Sequence, residues 1–218
     1  MRTRPLSLVS FAIICLLTAI ALMALLRLPT GAQLPIHWNA AGEVDQYASA
    51  RYALFMPVVI TAVLSALFAV LPRLEPLQER MIGSAALLEA CWVGLLALMV
   101  LVQLMIAGPA FGLVIAPAML FAGLGIFLII IGNTLPKSRP GFFVGIRTPW
   151  TITDTNNWIA THRFGSWTMM LGGAIIALAA VLPLSAPTRS LAVYLALALA
   201  AIPPVVYSWW FWRRTIQR

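Results

Sequence analysis

The chain has 218 residues, of which 62% are hydrophobic and only 9% are charged, and its net charge is +8. Because about a quarter of the residues in a soluble domain are charged, this composition excludes a water-soluble globular protein. It predicts an all-α, polytopic integral membrane protein, since a helix satisfies its backbone hydrogen bonds within its own segment.

Six apolar runs are long enough to cross a bilayer, which takes about 20 helical residues for roughly 30 Å of hydrocarbon. The runs lie at 8–28, 52–71, 82–107, 111–131, 167–184 and 191–211. Only Gly108-Pro109-Ala110 separates the third run from the fourth, but one helix there would be about twice as long as a membrane requires. The sequence therefore predicts six transmembrane helices, in a two-helix unit at 1–72 and a four-helix unit at 73–218.

The basic residues predict the orientation. With the N-terminus inside, eleven of them lie on the cytoplasmic side and three outside. The eleven are Arg2, Arg4, Arg73, Arg80, Lys137, Arg139, Arg147, Arg163, Arg213, Arg214 and Arg218, and the three are Arg27, Arg51 and Arg189. This positive-inside bias predicts that both termini are cytoplasmic. The same bias accounts for the positive net charge, so no nucleic-acid partner is predicted. The predicted partner is the lipid bilayer.

The first external loop, 34–51, carries a compact set of polar residues. Ala41-Gly42 is typical of a turn, because glycine tolerates positive φ. The candidate binding residues His37 and Asn39 precede this turn and Asp45 follows it. The functional interpretation is a polar platform that meets a peptide, a cation or a wall component from outside. The alternative is a solvated cap that folds over the helix ends.

Glu89 is the outstanding ionisable residue within the predicted spans. A carboxylate in hydrocarbon is costly unless it is protonated or paired. One interpretation is a proton or cation relay, or a partner for an arginine of the cytoplasmic loop. In the other, the third helix begins later than the apolar run and Glu89 lies at the interface.

The segment 133–165 is a long polar interruption between two apolar runs, predicted on the cytoplasmic side. Pro136, Pro140 and Pro149 bias their preceding residues towards extended geometry, and Gly141 and Gly145 leave the chain between them free to turn. We therefore expect a structured, non-helical segment over 133–150, called the hook below.

A short helix is predicted after the hook, over 155–163. Thr153 or Asp154 would provide its N-cap. Trp158 and His162 are four residues apart and so share a face. We expect Trp158 at the membrane interface and Arg163 within reach of lipid phosphates.

The candidate binding residues of the segment 133–165 share polar or aromatic chemistry that an orientation signal does not need. They are Asn133, Lys137, Arg139, Arg147, Thr148, Trp150, Trp158, Thr161, His162 and Arg163. The alternative is a generic positive-inside loop with tryptophan anchors. Neither a HExxH nor a Cys/His metal pattern is present, and His37 and His162 are predicted on opposite sides of the bilayer. No metal site, cofactor or catalytic residue is therefore predicted.

Two stretches carry a family resemblance. PKSRPGFFVGIRTPWT, followed by WIATHRFG, resembles the signature of the SdpI family. LPIHWNAAGEVDQYAS resembles a domain of unknown function that is common at the N-terminus of that family. Gly141 departs from the pattern, since the family often has asparagine after the Arg-Pro pair.

The resemblance implies an immunity and receptor protein of a bacterial cytoplasmic membrane rather than an enzyme. Such a protein gives resistance to a secreted antimicrobial peptide toxin and signals by holding a cytoplasmic regulator at the membrane. The alternative function is a membrane enzyme or carrier for a small molecule or lipid, with Arg147, His162 and Glu89 around an inner cavity. The enzyme hypothesis requires these three groups to converge on one pocket.

Overall fold

The computed structural model describes residues 3–76 and 78–216. In chain order its elements are α1 (Thr3–Arg27), β1 (Gln33–Trp38), β2 (Val44–Ser49), α2 (Ala50–Leu74), α3 (Gln78–Gly83), α4 (Ala85–Ala107), α5 (Ala118–Thr134), α6 (Pro149–Thr153), α7 (Thr155–Val181) and α8 (Ala186–Ile216). Six helices in the described residues are long and apolar enough to span a membrane, namely α1, α2, α4, α5, α7 and α8. The predicted six-span helical membrane protein is confirmed.

Successive spans run in opposite directions, so the connections collect at two ends of the bundle. One end, called the hook end, gathers residues 75–76 and 78–84, the hook and the last turns of α8. The other, the hairpin end, gathers residues 28–49, 108–117 and 182–185. Contacts across each end support this arrangement: the amide of Arg139 donates to Ser84 Oγ at 2.9 Å, and an added Cβ on Gly42 would lie 3.7 Å from Pro117 Cβ.

The side of the membrane that each end faces remains a prediction. Of the basic residues that support the prediction, Arg2 and Arg218 lie outside the described residues, as does the side chain of Arg80. The described basic residues of the predicted cytoplasmic set all lie at the hook end.

Three clusters of buried apolar side chains hold the bundle together. The first joins α1, α2 and α4 through residues such as Ala21, Leu54 and Ile106. Another joins α5, α7 and α8. The third lies at the hook end and includes Trp92 of α4 and Val144 of the hook. Since α4 packs with the first two helices as well as with α5, the division into units at 1–72 and 73–218 stays a prediction.

Glycine permits the close approach of α5 and α7. A Cβ on Gly125 would lie 2.5 Å from the carbonyl oxygen of Gly173, and the reciprocal contact is equally short. Small residues at helix interfaces are the usual means of close packing in lipid, where no hydrophobic force drives helices together. This contact fixes α7 against the bundle and thereby positions the site described below.

The external loop forms an antiparallel hairpin of β1 and β2. The predicted turn is present, and Gly42 has a φ of +85°, but the two strands were not foreseen. Leu34 is buried and Ile36 and Trp38 pack beside it on the helix ends. The hairpin therefore caps the bundle, as the alternative interpretation of this loop expected.

Three helix boundaries differ from the apolar runs. The predicted short helix at 155–163 and the span at 167–184 are one continuous helix, α7, because Gly165 is closely packed and does not interrupt it. The fourth span begins at Ala118 rather than near residue 111, since a 3-10 turn and an irregular link precede it. The third begins at Ala85, after the separate helix α3.

Candidate functional site

The hook lies against the first turns of α7 instead of projecting from the bundle. The prediction that residues 133–150 are non-helical is wrong at both ends: α5 extends to Thr134 and is followed by a 3-10 turn at Leu135–Lys137, and α6 begins at Pro149 because Thr148 caps it. Trp158 of α7 is completely buried under the hook, and its Nε1 donates to the carbonyl oxygen of Ser138 at 3.3 Å. The expectation that Trp158 lies at the membrane interface is wrong, because the hook covers the face of α7 that carries it.

His162 joins the hook to α7 through both ring nitrogens. Its Nδ1 lies 2.8 Å from the carbonyl oxygen of Trp158, and the amide of Ile146 donates to its Nε2 at 2.8 Å. A carbonyl can only accept and an amide can only donate, so Nδ1 carries the proton and the imidazole is neutral. The ring also stacks on Trp158, with centroids 4.0 Å apart, which confirms the predicted shared face.

Gly145 lies on this pair of rings in a conformation that requires glycine. Its φ is +120°. An added Cβ would lie 2.6 Å from His162 Nε2 and 2.7 Å from Trp158 Cζ2. The absence of a side chain thus lets the hook backbone contact the two rings directly.

Glu75, which was not among the predicted site residues, holds the other side of the hook. It is only 2% exposed, and its Oε2 accepts hydrogen bonds from the amides of Phe142 at 3.0 Å and Phe143 at 3.2 Å. A carboxylate that accepts amide hydrogen bonds tolerates burial better than an isolated one. In the sequence, Arg73 and Arg80 on either side of Glu75 indicate only the positive-inside bias. No local sequence pattern around Glu75 predicts its contact with the hook.

The hook ends in the short helix α6, which was also not predicted. Thr148 is its N-cap and forms a capping box with Thr151. The Thr151 hydroxyl donates to the carbonyl oxygen of Ile146 at 2.8 Å, and the Thr148 hydroxyl donates to Ser208 Oγ of α8 at 3.0 Å. The sequence Thr-Pro-x-Thr is a readable capping signal, with proline at the first helical position.

A buried polar network continues from Ser208 into α7. Asn157 donates to the carbonyl oxygen of Ser208 at 2.8 Å and accepts from the Thr161 hydroxyl at 2.9 Å. Asn157 and Thr161 are completely buried. Of these three residues only Thr161 was predicted as a site residue, and here its side chain connects α7 to α8 through Asn157.

The basic residues of the site lie on its surface. The side chains of Asn133, Lys137, Arg139, Arg147 and Arg163 are exposed. The guanidinium of Arg147 donates to the carbonyl oxygen of Phe142, which folds it back over the hook. Trp150 is half-buried beside Trp212, with ring centroids 5.9 Å apart. The predicted residues therefore divide into a buried set, an exposed set that is cationic except for Asn133, and the half-buried Trp150. The buried set is Thr148, Trp158, Thr161 and His162.

At the hairpin end, the three predicted residues serve the hairpin itself. His37 Nδ1 and Asp45 Oδ1 form an exposed pair at 2.6 Å. Asn39 Oδ1 accepts from the amides of Ala41 at 2.9 Å and Glu43 at 3.0 Å, so Asn39 organises the turn. His37 and His162 lie at opposite ends of the bundle, and no group of three potential metal ligands occurs within residues 3–76 and 78–216.

Arg189, which the sequence analysis counted only as an external charge, fixes the hairpin turn to the bundle. Its guanidinium donates to the carbonyl oxygens of Ala41 at 2.9 Å, Leu184 at 3.2 Å and Ala179 at 3.3 Å. Three carbonyl contacts from one planar fork hold the hairpin in one orientation.

Arg147, His162 and Glu89 do not surround one cavity. A cavity of about 310 Å³ lies beneath the hook, but its walls are apolar and none of the three residues lines it. Glu89 is half-buried in the second turn of α4, close to the hook end, and both interpretations of this residue stay predictions. The convergence required by the enzyme hypothesis is not observed.

The fold and the site define a polytopic α-helical membrane protein whose polar signature residues hold a folded segment at one end of the bundle. Residues 137–208 match the SdpI/YfhL protein family, and residues 12–61 match a domain of unknown function, DUF1648. The resemblance to the SdpI family, with its N-terminal domain of unknown function, is confirmed by these two matches.

A curated relative supports the same assignment over a shorter stretch. The chain is 44% identical over 55 residues to the Immunity protein SdpI of Bacillus subtilis (strain 168). The match covers 25% of this chain and 27% of the relative, so the chain spans about a quarter of the length of the protein that it matches. No solved structure matches the chain.

Proposed function

We propose that this protein is a membrane immunity protein, which protects the cell that makes it from a secreted antimicrobial peptide without catalysing a reaction. The observation that carries the proposal is the role of the signature residues in the fold. Trp158 and His162 are buried in contacts that hold the hook, and Thr161 is buried in the network that joins α7 to α8. Such side chains are unavailable as acids, bases or nucleophiles for a substrate, and the cavity beneath the hook is apolar. A binding role explains this arrangement better than catalysis.

The peptide meets the hairpin end, which the charge bias directs to the outside. The register of the hairpin defines a free strand edge there. The amide of Ala50 donates to the carbonyl oxygen of Ala32, and hydrogen-bonded and non-hydrogen-bonded pairs alternate in an antiparallel ladder. Tyr47, which faces Pro35, is therefore in a non-hydrogen-bonded pair, and its N–H and C=O point away from β1.

The outer edge of β2 has no backbone partner beyond the hairpin in the part of the chain that the structure describes. Most of β2 is exposed, and Tyr47 is 62% exposed. An exposed strand edge can pair with an extended peptide through backbone hydrogen bonds, which do not require a particular peptide sequence. Peptide capture by strand addition follows from this geometry.

The hook end is the surface for the cytoplasmic regulator that the SdpI resemblance implies. Lys137, Arg139, Arg147 and Arg163 are exposed there, and the buried set holds the backbone that carries them. A preorganised cationic surface favours an acidic partner. Sequestration of such a regulator is the second part of the proposal.

A killing assay tests the proposed function. The chain is expressed in Bacillus subtilis cells that lack their own immunity protein, and survival is counted after exposure to the secreted killing peptide. We expect the wild-type chain to restore survival. Tyr47→Pro removes the outward N–H of β2 and abolishes protection, whereas Tyr47→Ala keeps that N–H and protects.

Equal amounts of each variant in the membrane, measured by immunoblot, make the comparison valid. Proline is tolerated on a strand edge where its missing N–H would point outward, so the hairpin itself should persist. Survival no better than that of cells with an empty vector would refute the immunity proposal. Full protection by Tyr47→Pro would refute only the strand-edge mechanism.

A further inference from the structure

The cavity beneath the hook lies between the two helix groups of the bundle. Its volume is about 310 Å³, at the lower end of the range typical of ligand pockets. The lining includes Phe68 and Leu71 of α2, Leu88 and Cys91 of α4, Ile131 of α5 and Val144 of the hook. The walls are apolar, so the occupant must be apolar where it lies inside.

The cavity is open at the surface of the bundle. Cys91, Leu95, Ile131 and Phe143 line it, and all four are only half-buried. These side chains belong to different helices and to the hook, so the opening lies between elements at the level of the hook end. An occupant can therefore enter sideways from the membrane.

Lipid is the occupant that the physics of the bilayer favours. An apolar group gains no hydrophobic free energy on moving from lipid into an apolar pocket, because lipid tails are equally apolar. The most concentrated apolar species beside the opening is an acyl chain. What distinguishes one lipid from another at this site is then the headgroup.

The mouth of the cavity is cationic. Arg73, Lys137 and Arg147 each lie within two residues of a lining residue, and all three are exposed. Arg147 is the nearest, because its guanidinium donates to Phe142, the neighbour of the lining residue Phe143. Two carboxylates lie near the same lining: Glu75 is 2% exposed and bonded to the hook amides, and Glu89 is half-buried next to Leu88. The three basic side chains outnumber them and are the exposed ones.

We propose that this cavity holds one acyl chain of an anionic phospholipid, with the lipid phosphate bound by Arg147 and attracted by Arg73 and Lys137. The chain fills the gap between the two helix groups, and the headgroup rests on the hook. The lipid site shares Lys137 and Arg147 with the proposed regulator surface, but lipid binding does not depend on the immunity function.

Native mass spectrometry of the detergent-purified protein tests the proposal. The protein is incubated with equal amounts of phosphatidylglycerol and phosphatidylcholine before release from micelles. We expect the wild type to retain one phosphatidylglycerol in preference. Arg147→Gln should weaken this retention roughly fivefold, from about 1 kcal/mol for one basic residue near an anionic group, while Arg147→Lys keeps the charge and the lipid.

Arg214→Gln is the matched control, because Arg214 is an exposed arginine at the same end of the bundle whose guanidinium packs over Trp210. It should retain the lipid as the wild type does. Equal retention of both lipids by the wild type overturns the proposal. So does an equal loss in Arg147→Gln and Arg214→Gln, which would indicate a diffuse surface attraction.

The position of the acyl chain is tested at Cys91. Cys91→Phe fills the cavity and should abolish the retained lipid. In a Cys15→Ala protein, where Cys91 is the remaining cysteine, added phosphatidylglycerol should slow the alkylation of Cys91 by N-ethylmaleimide severalfold and phosphatidylcholine should not. Unchanged alkylation overturns the cavity assignment, and this measurement decides the question if Cys91→Phe does not fold.

Discussion

Gly145 shows how a single residue determines the packing of the hook. Its positive φ of +120° turns the backbone onto the rings of Trp158 and His162. The next amide, that of Ile146, then reaches His162 Nε2 at 2.8 Å. A residue with a side chain would separate the hook from α7 and break this hydrogen bond.

We predict that Gly145→Ala lowers the free energy of unfolding by more than Gly112→Ala. Both glycines have positive φ, at +120° and +73°, which costs an alanine about 1–2 kcal/mol. A Cβ at Gly145 also overlaps two rings, whereas Gly112 has nothing within 4 Å, and overpacking adds roughly 1–3 kcal/mol. Thermal unfolding in detergent compares the two variants, and equal melting temperatures would contradict the close contact.

Among the elements, α7 has two parts with different surroundings. Its first turns are covered by the hook and by α8, so they can bury polar side chains such as Asn157 and Thr161 with their hydrogen bonds satisfied. Its later turns contact α5 through Gly173 and are apolar. One helix can therefore begin in a polar protein environment and end in a membrane-spanning one without a break.

We predict that Asn157→Ala destabilises the protein and that Asn156→Ala does not. Asn157 is completely buried, and its loss leaves the Thr161 hydroxyl without its acceptor, at a cost of about 1–3 kcal/mol. The side chain of Asn156 is exposed, so its removal should change stability by less than about 0.5 kcal/mol. Melting temperatures in the same detergent give the comparison, and similar losses in both variants would contradict the role of the network.

At the scale of the whole molecule, the features that were predicted correctly are those that follow from local sequence patterns. Six apolar runs of sufficient length indicated six helices. The described basic residues of the predicted cytoplasmic set lie together at the hook end. The pairing of Trp158 with His162 was readable because residues four apart share a helix face. Asp154 was one of the two predicted N-cap residues, and in the structure its side chain accepts from the amide of Asn156 at 2.8 Å.

The features that were missed depend on contacts between distant parts of the chain. Glu75 meets hook residues that are 67 and 68 positions away, and Asn157 meets Ser208 across 51 positions. Trp158 was expected at the interface because tryptophan is common there, but only the folded hook decides that it is buried. The strands were missed because their alternation of buried and exposed residues is short, and Pro35 and the turn at Asn39 interrupt it.

Both the immunity proposal and the lipid site rest on the claim that the hook is a folded part of the bundle. Hydrogen–deuterium exchange of peptides covering residues 139–147 tests this claim most directly. We predict slow exchange at Ile146, fast exchange there in His162→Ala, which removes its acceptor, and unchanged exchange in Arg163→Ala, whose side chain is exposed. Fast exchange across these residues in the wild-type protein would contradict the account.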